Sequence, residues 1–222
     1  RYDDVQFISD IIDYMLINYD FIDHDKIYVL GFSNGGYMAY RLACDLGYRV
    51  AAFTSISGNM FLDDDGLDCI DQGRDIPILH VHGTEDPINS YYPGGNGVDI
   101  LDDQYLTIIE SIDFWSNYHN YEIFQIDTIL TDVSVRKIYS NNSSPSTFEH
   151  IQVIGGGHYY FYGESYGFSS SQEAIDFSSQ YELSDFIGNY EDTDDNGLFN
   201  LDDINVVVDV LFDFIDSNDQ FD

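Results

Sequence analysis

Residues 26–46, KIYVLGFSNGGYMAYRLACDL, constrain the fold more than any other stretch of this chain. Lys26–Phe32 is a short apolar run closing on a glycine, which reads as a buried strand. From Gly35 to Leu46 the pattern turns helical, with Tyr37, Met38, Tyr40, Arg41 and Leu42 inside it. Between the two lies GFSNG, residues 31–35, a G-x-S-x-G pentapeptide. Glycines there permit close approach at a strained turn, and the turn lifts the Ser33 hydroxyl above the sheet edge. The next backbone N–H, that of Asn34, then faces the place where an oxyanion would develop. Ser33 is therefore the candidate nucleophile.

The rest of the chain supplies a matching scaffold. Val5–Tyr19 carries Phe7, Ile8, Ile11, Ile12, Met15 and Leu16 at helical spacing. Val50–Ile56 and Ile76–His82 read as buried strands, and Leu101–Tyr118 as a long helix containing Trp115. Glu122–Leu130, Val133–Ser140 and Phe148–Ile154 read as strands, and Ser171–Phe186 as the last helix. Strands alternating with helices imply an α/β fold with a mostly parallel sheet and helices on both faces. The composition shifts at Gly188-Asn189-Tyr190, so residues 1–187 are expected to form this domain and residues 188–222 a small tail. A chain of 222 residues has room for both.

Charge excludes some functions. Forty-one acidic residues against seven basic give a formal net charge of -34. Such a surface repels nucleic acid and anionic membranes, which need Lys and Arg to displace counterions. It suits an extracellular or saline setting, where salt screens self-repulsion, and it suits divalent cations. No apolar run reaches the length of a membrane span. The opening RYDDVQF is neither an initiator Met nor a signal peptide. Cys44 and Cys69 form one conceivable disulfide pair, which spacing alone leaves open.

A serine hydroxyl needs a base, and the base needs an orienting acid. In a strand–turn–helix scaffold of this kind the order along the chain is Ser, acid, His, each past the end of a strand. His158 closes GGGH (155–158) directly after the strand Phe148–Ile154 and is the expected base. His80 and His82 lie within a strand and suit core or supporting roles. His150 also lies within a strand, and His24 and His119 read as surface positions. For the acid, IPILHVH runs into GTEDPI, which puts Asp86 just past a strand, with Glu85 the alternative and a plain turn-forming role before Pro87 the competing reading.

Together DKIYVLGFSNGGYMAYRLAC, IPILHVHGTEDPI and GGGH resemble the extracellular polyhydroxybutyrate depolymerase and feruloyl esterase group of α/β-hydrolases, over roughly residues 3–187. The resemblance implies ester hydrolysis through an acyl-enzyme with no cofactor for catalysis. It places the catalytic roles on Ser33, Asp86 and His158. That group usually follows GGGH with Trp-Pro, whereas Tyr159 and Tyr160 follow here. It also has strands and a glycine-containing loop before the nucleophile, the source of a second oxyanion N–H. Only one helix precedes the nucleophile strand here, so an N-terminally truncated domain is expected. Lacking one such donor costs on the order of 3 kcal/mol of transition-state stabilisation, so weak activity of these residues alone is expected. Tyr91, Tyr92 and Tyr159 are candidates for lining a substrate cleft.

Residues 192–203 read DTDDNGLFNLDD. Laid on a twelve-residue calcium loop, Asp192, Asp194, Asn196, Asn200 and Asp203 take side-chain ligand positions, Leu198 offers its carbonyl, and Gly197 makes the sharp turn. With an apolar helix expected over Ile204–Phe214, the segment resembles one half of a dockerin repeat. A structural Ca²⁺ in the tail follows, and a cohesin-like partner is the further implication. The leading expectation is thus a secreted serine ester hydrolase acting on a polymeric ester, such as feruloyl or acetyl groups on plant polysaccharide or a polyhydroxyalkanoate. A noncatalytic calcium-dependent binding protein on a degenerate hydrolase scaffold and a serine peptidase of the same fold are the competing readings.

Overall fold

The computed structural model describes residues 3–60, 74–95, 97, 105–186 and 206–209. The Asp3 carboxylate accepts the Gln6 N–H at 3.0 Å and caps the first helix, α1 (Asp4–Asn18). Then follow β1 (Ile27–Phe32), α2 (Asn34–Leu46), β2 (Ala52–Ile56), β3 (Ile78–Gly83) and α3 (Ile108–Tyr118). β4 (Ile123–Thr131), β5 (Ser134–Ser140), β6 (Thr147–Val153), α4 (Ser170–Ser178) and β7 (Val206–Asp209) complete the order.

The strands form one sheet in the order β4-β5-β6-β3-β2-β1-β7. β6, β3, β2, β1 and β7 pair in parallel, and β5 is antiparallel to both β4 and β6. β5 alone runs against the rest, a departure from simple strand–helix alternation. Its cause is length: Asp132 and Val133 are all that lie between β4 and β5. A link that short closes a hairpin, whereas a parallel crossover needs a dozen residues or more.

Two apolar layers sandwich the sheet. Ile27, Val29, Phe53, Ile78 and Phe148 pack on one side with α1, α2 and α3, whose Ile8, Ile12, Leu42, Ile112 and Trp115 are buried. Tyr28, Leu30, Leu79, Val81 and Ile151 pack on the other with Ala174 and Phe177 of α4. β1 and β3 are therefore apolar on both faces, the reason they read as continuous hydrophobic runs.

Two helices are shorter than the periodicity predicts. α3 starts at Ile108, not Leu101, because Thr107 and Glu110 close a reciprocal capping box; residues 101–104 lie outside the described set. α4 stops at Ser178, and the stretch toward Phe186 becomes a turn with a short 3-10 helix at Leu183–Asp185. The expected helix Ile204–Phe214 is also corrected where it is described. Val206–Asp209 is a strand pairing with β1 from Ile27↔Val206 to Leu30↔Asp209. Three successive β-branched valines favour that state.

Cys44 in α2 is disulfide-bonded, and Cys69, outside the described residues, is the chain's only other cysteine. Among the described residues no helix is long and apolar enough to cross a membrane.

Candidate active site

Ser33 occupies the turn between β1 and α2 with φ 52° and ψ −114°. A non-glycine residue there is strained by roughly 1–3 kcal/mol and persists only where its surroundings dictate it. Here they do. The Ser33 N–H donates to Ile56 O at 2.9 Å, and the Ser33 carbonyl accepts from Tyr37 N–H at 3.1 Å. Gly31 makes the turn possible, since a Cβ at that position would lie 1.9 Å from the Gly35 carbonyl oxygen. Asn34 is the first residue of α2, so its N–H has no intrahelical acceptor and sits at the positive end of the helix dipole.

Asp86 lies past the end of β3, buried, and its carboxylate is fully occupied. Oδ1 accepts the N–H groups of Ile88 at 2.7 Å and Asn89 at 2.9 Å, an Asx-type turn. Oδ2 accepts from His158 Nδ1 at 2.8 Å and from His82 Nε2 at 3.1 Å. Burial alone would raise its pKa. The donors from His158, His82 and Asn89 outweigh that and hold the carboxyl well below the usual range. Glu85, the alternative acid, is exposed.

His158 reaches both partners because the glycine-rich loop after β6 packs directly on the end of β3. Gly83 has no room for a side chain there: a Cβ would stand 2.2 Å from the Gly156 carbonyl oxygen. The loop is tied by Glu85 N–H to Gly156 O at 2.9 Å and by Gly155 N–H to Thr84 Oγ1 at 2.8 Å. Across the site His158 Nε2 stands 2.9 Å from Ser33 Oγ. An ionised Asp86 can only accept, so Nδ1 carries the hydrogen and a neutral ring presents its Nε2 lone pair to the Ser33 hydroxyl. The structure thus brings Ser33, Asp86 and His158, 125 residues apart at the extremes, into one hydrogen-bonded line.

The other expected site residues divide. Tyr92 and Tyr159 are exposed, at 49% and 58%. Tyr91 borders a cavity of about 430 Å³ beside Asp86, Pro87, Ser90 and Tyr92, but its own ring is 2% exposed. Its hydroxyl is held by His150 Nε2 at 2.7 Å, so it anchors the loop from below. Ser33 and His158 are not among that cavity's lining residues. His119 is not a surface residue. It is 3% exposed, stacks on Trp115, accepts the Ile76 N–H at Nε2 and faces Asp75 at Nδ1. The calcium-ligand candidates at 192–203 lie outside the described residues.

One part of the site was not read from the sequence. Asn89 donates through Nδ2 to Ser57 O at 2.6 Å and accepts the Tyr37 hydroxyl at Oδ1, fastening the Asp86 turn to α2 and to the end of β2. The available signal was its place three residues after an aspartate in a tight turn.

Residues 3–105 match the family model described as Phospholipase/Carboxylesterase. The bifunctional acetylxylan esterase/xylanase XynS20E of Neocallimastix patriciarum is 38% identical over 89 residues, which is 40% of this chain and 12% of that protein. The chain therefore spans a small part of the curated relative's length. Among solved structures, an acetyl xylan esterase from Aspergillus awamori overlaps 69% of this chain and 61% of its own, at 17% identity and a TM-score of 0.48. A thermostable esterase overlaps 82% and 37%, at 18% identity and the same TM-score. The mostly parallel sheet with helices on its faces gives the chain an α/β-hydrolase-like fold.

Proposed function

We propose that this chain is the catalytic part of a secreted carboxylic ester hydrolase that removes acyl groups, acetyl or feruloyl, from plant polysaccharide. The observation that carries the reading is the line Ser33 Oγ, His158 Nε2, His158 Nδ1, Asp86 Oδ2, with links of 2.9 and 2.8 Å. In it Ser33 Oγ attacks the ester carbonyl carbon while His158 Nε2 takes the hydroxyl proton. Asp86 stays ionised and stabilises the imidazolium. The carbonyl oxygen becomes the oxyanion facing the Asn34 N–H. His158 then returns the proton to the leaving alkoxide, which departs as the alcohol and leaves the acyl group on Ser33. A water, deprotonated by the same Nε2, cleaves that ester and regenerates the serine.

A polysaccharide-linked substrate is favoured over a polyhydroxyalkanoate by the relative whose name joins an acetylxylan esterase to a xylanase. Tyr92 and Tyr159 are the aromatic surfaces offered to the sugar side. An oxidising, extracellular setting agrees with the disulfide-bonded Cys44. The tail's calcium belongs to the same proposal, and far-UV circular dichroism of the whole chain with and without Ca²⁺ tests it.

The test of the main reading is release of acetate from acetylated xylan, alongside 4-nitrophenyl acetate and a peptide anilide. Ser33→Ala should abolish ester turnover. Asp86→Asn, which keeps the Oδ1 acceptor but presents an amide to His158, should lower kcat by about 10³–10⁴. Anilide turnover exceeding ester turnover, or ester turnover that survives Ser33→Ala, overturns the reading.

A further inference from the structure

The Asp86 carboxylate is the end of a second hydrogen-bonded line that the ester chemistry does not require. His82 Nε2 stands 3.1 Å from Asp86 Oδ2, the same oxygen that receives His158, and 3.2 Å from the Asn89 carbonyl. His82 Nδ1 lies 3.2 Å from His80 Nε2, and His80 Nδ1 lies 2.9 Å from the Tyr40 hydroxyl. Both histidines are 0% exposed and Tyr40 is 2% exposed. The line runs from α2 through β3 to the acid, beneath the sheet rim.

Its direction follows from its end. Asp86 Oδ2 and Asn89 O can only accept, so His82 Nε2 carries a hydrogen. In a neutral ring Nδ1 is then an acceptor, and His80 Nε2 must donate to it. His80 Nδ1 accepts in turn, from the Tyr40 O–H. Each assignment forces the next, and no other neutral arrangement satisfies every buried atom in the line. The surroundings keep His80 neutral: burial first, then the neighbouring His82 and His150, push its pKa far below the usual range. Burial likewise holds the Tyr40 phenol protonated and able to donate.

We propose that Tyr40, His80 and His82 are positioning residues that lock the His82 N–H onto Asp86 and thereby fix the carboxylate that orients His158. The inference rests on the esterase reading of Ser33, His158 and Asp86. With Oδ1 pinned by two backbone N–H groups, the His82 N–H stops rotation at Oδ2 and lowers that oxygen's basicity. The proton taken from Ser33 then stays on His158. The distal members matter because imidazole has two neutral tautomers. The wrong one would aim a lone pair at an ionised carboxylate and a carbonyl, and the hydrogens donated in turn by His80 and Tyr40 add to the selection those acceptors make against it.

The test combines kinetics with ¹⁵N NMR of the histidine side chains in the whole chain. The spectra should show His80 and His82 both as neutral Nε2–H tautomers. Tyr40→Phe, which removes one oxygen remote from the substrate, should lower kcat on 4-nitrophenyl acetate about three- to tenfold with KM unchanged. His82→Leu should lower kcat about ten- to a hundredfold, and His82→Gln, which restores an N–H near the Nε2 position, should recover at least about threefold of that loss. If His82→Leu does not fold, Tyr40→Phe and the spectra decide. An Nδ1–H or imidazolium form of His82, or wild-type kcat in Tyr40→Phe and His82→Leu, overturns the proposal. Absence of Ser33-dependent turnover in the wild type defeats the esterase reading instead, and the tautomer assignment still judges the line.

Discussion

At the residue scale, Ser33 combines a chemical requirement with a conformational cost. Its φ of 52° places the hydroxyl opposite His158, and Cβ makes that backbone unfavourable. Glycine carries no such penalty. Ser33→Gly should therefore raise stability by about 1 kcal/mol relative to Ser33→Ala, although both variants lack the hydroxyl. Denaturant midpoints of the two proteins measure the difference directly. Equal midpoints would mean that the turn holds no strain at this position. Asp86 is a different case, since four donors converge on one side chain. Its two backbone bonds build the turn and its two imidazole bonds serve the site.

At the element scale, helix caps and strand ends govern placement. The Thr107–Glu110 capping box starts α3, and α3 carries Trp115 into the core beside Tyr40, with ring centroids 6.2 Å apart. Thr107→Ala should cost about 1 kcal/mol of unfolding free energy. Its effect on kcat should be small, and a melting curve beside an ester assay separates the two. Strand ends were the legible part of the sequence. Ser33, Asp86 and His158 each follow an apolar run and sit among glycines or turn formers, so local pattern and chemistry agreed there. Helix ends were less legible. Apolar residues at 101–106 and 181–186 continue a helical rhythm that Thr107 and the serines at 178 and 179 interrupt. His119 was misplaced for a related reason. Asn117 and Asn120 flank it in sequence, but its ring stacks on Trp115, a contact made through the fold rather than along the chain. The line from Tyr40 to Asp86 was beyond reach of the sequence, because its members meet only when α2 is laid across β3.

At the scale of the whole molecule, buried histidines set the response to acid. His150 has a pKa of about 3, lowered by burial and then by Lys137 and His82, and His80 is also strongly lowered. In the unfolded chain both titrate near 6.5. Between those limits the unfolded state binds more protons, so stability falls as pH drops from about 6.5 toward 3. The melting temperature should begin to decline near pH 6.5, well before ordinary carboxylates protonate near 4. A melting temperature that stays level down to pH 5 contradicts this. The hydrogen bonds that continue the sheet past its strands have a further meaning. Ser33 N–H meets Ile56 O, Ser57 N–H meets Val81 O, and Thr84 N–H meets Val153 O. Ser33, Asp86 and His158 are thereby surveyed from one shared backbone baseline rather than from the loops around them. Selection can redraw the loops bearing Tyr92 and Tyr159 while the geometry beneath needs no recalibration.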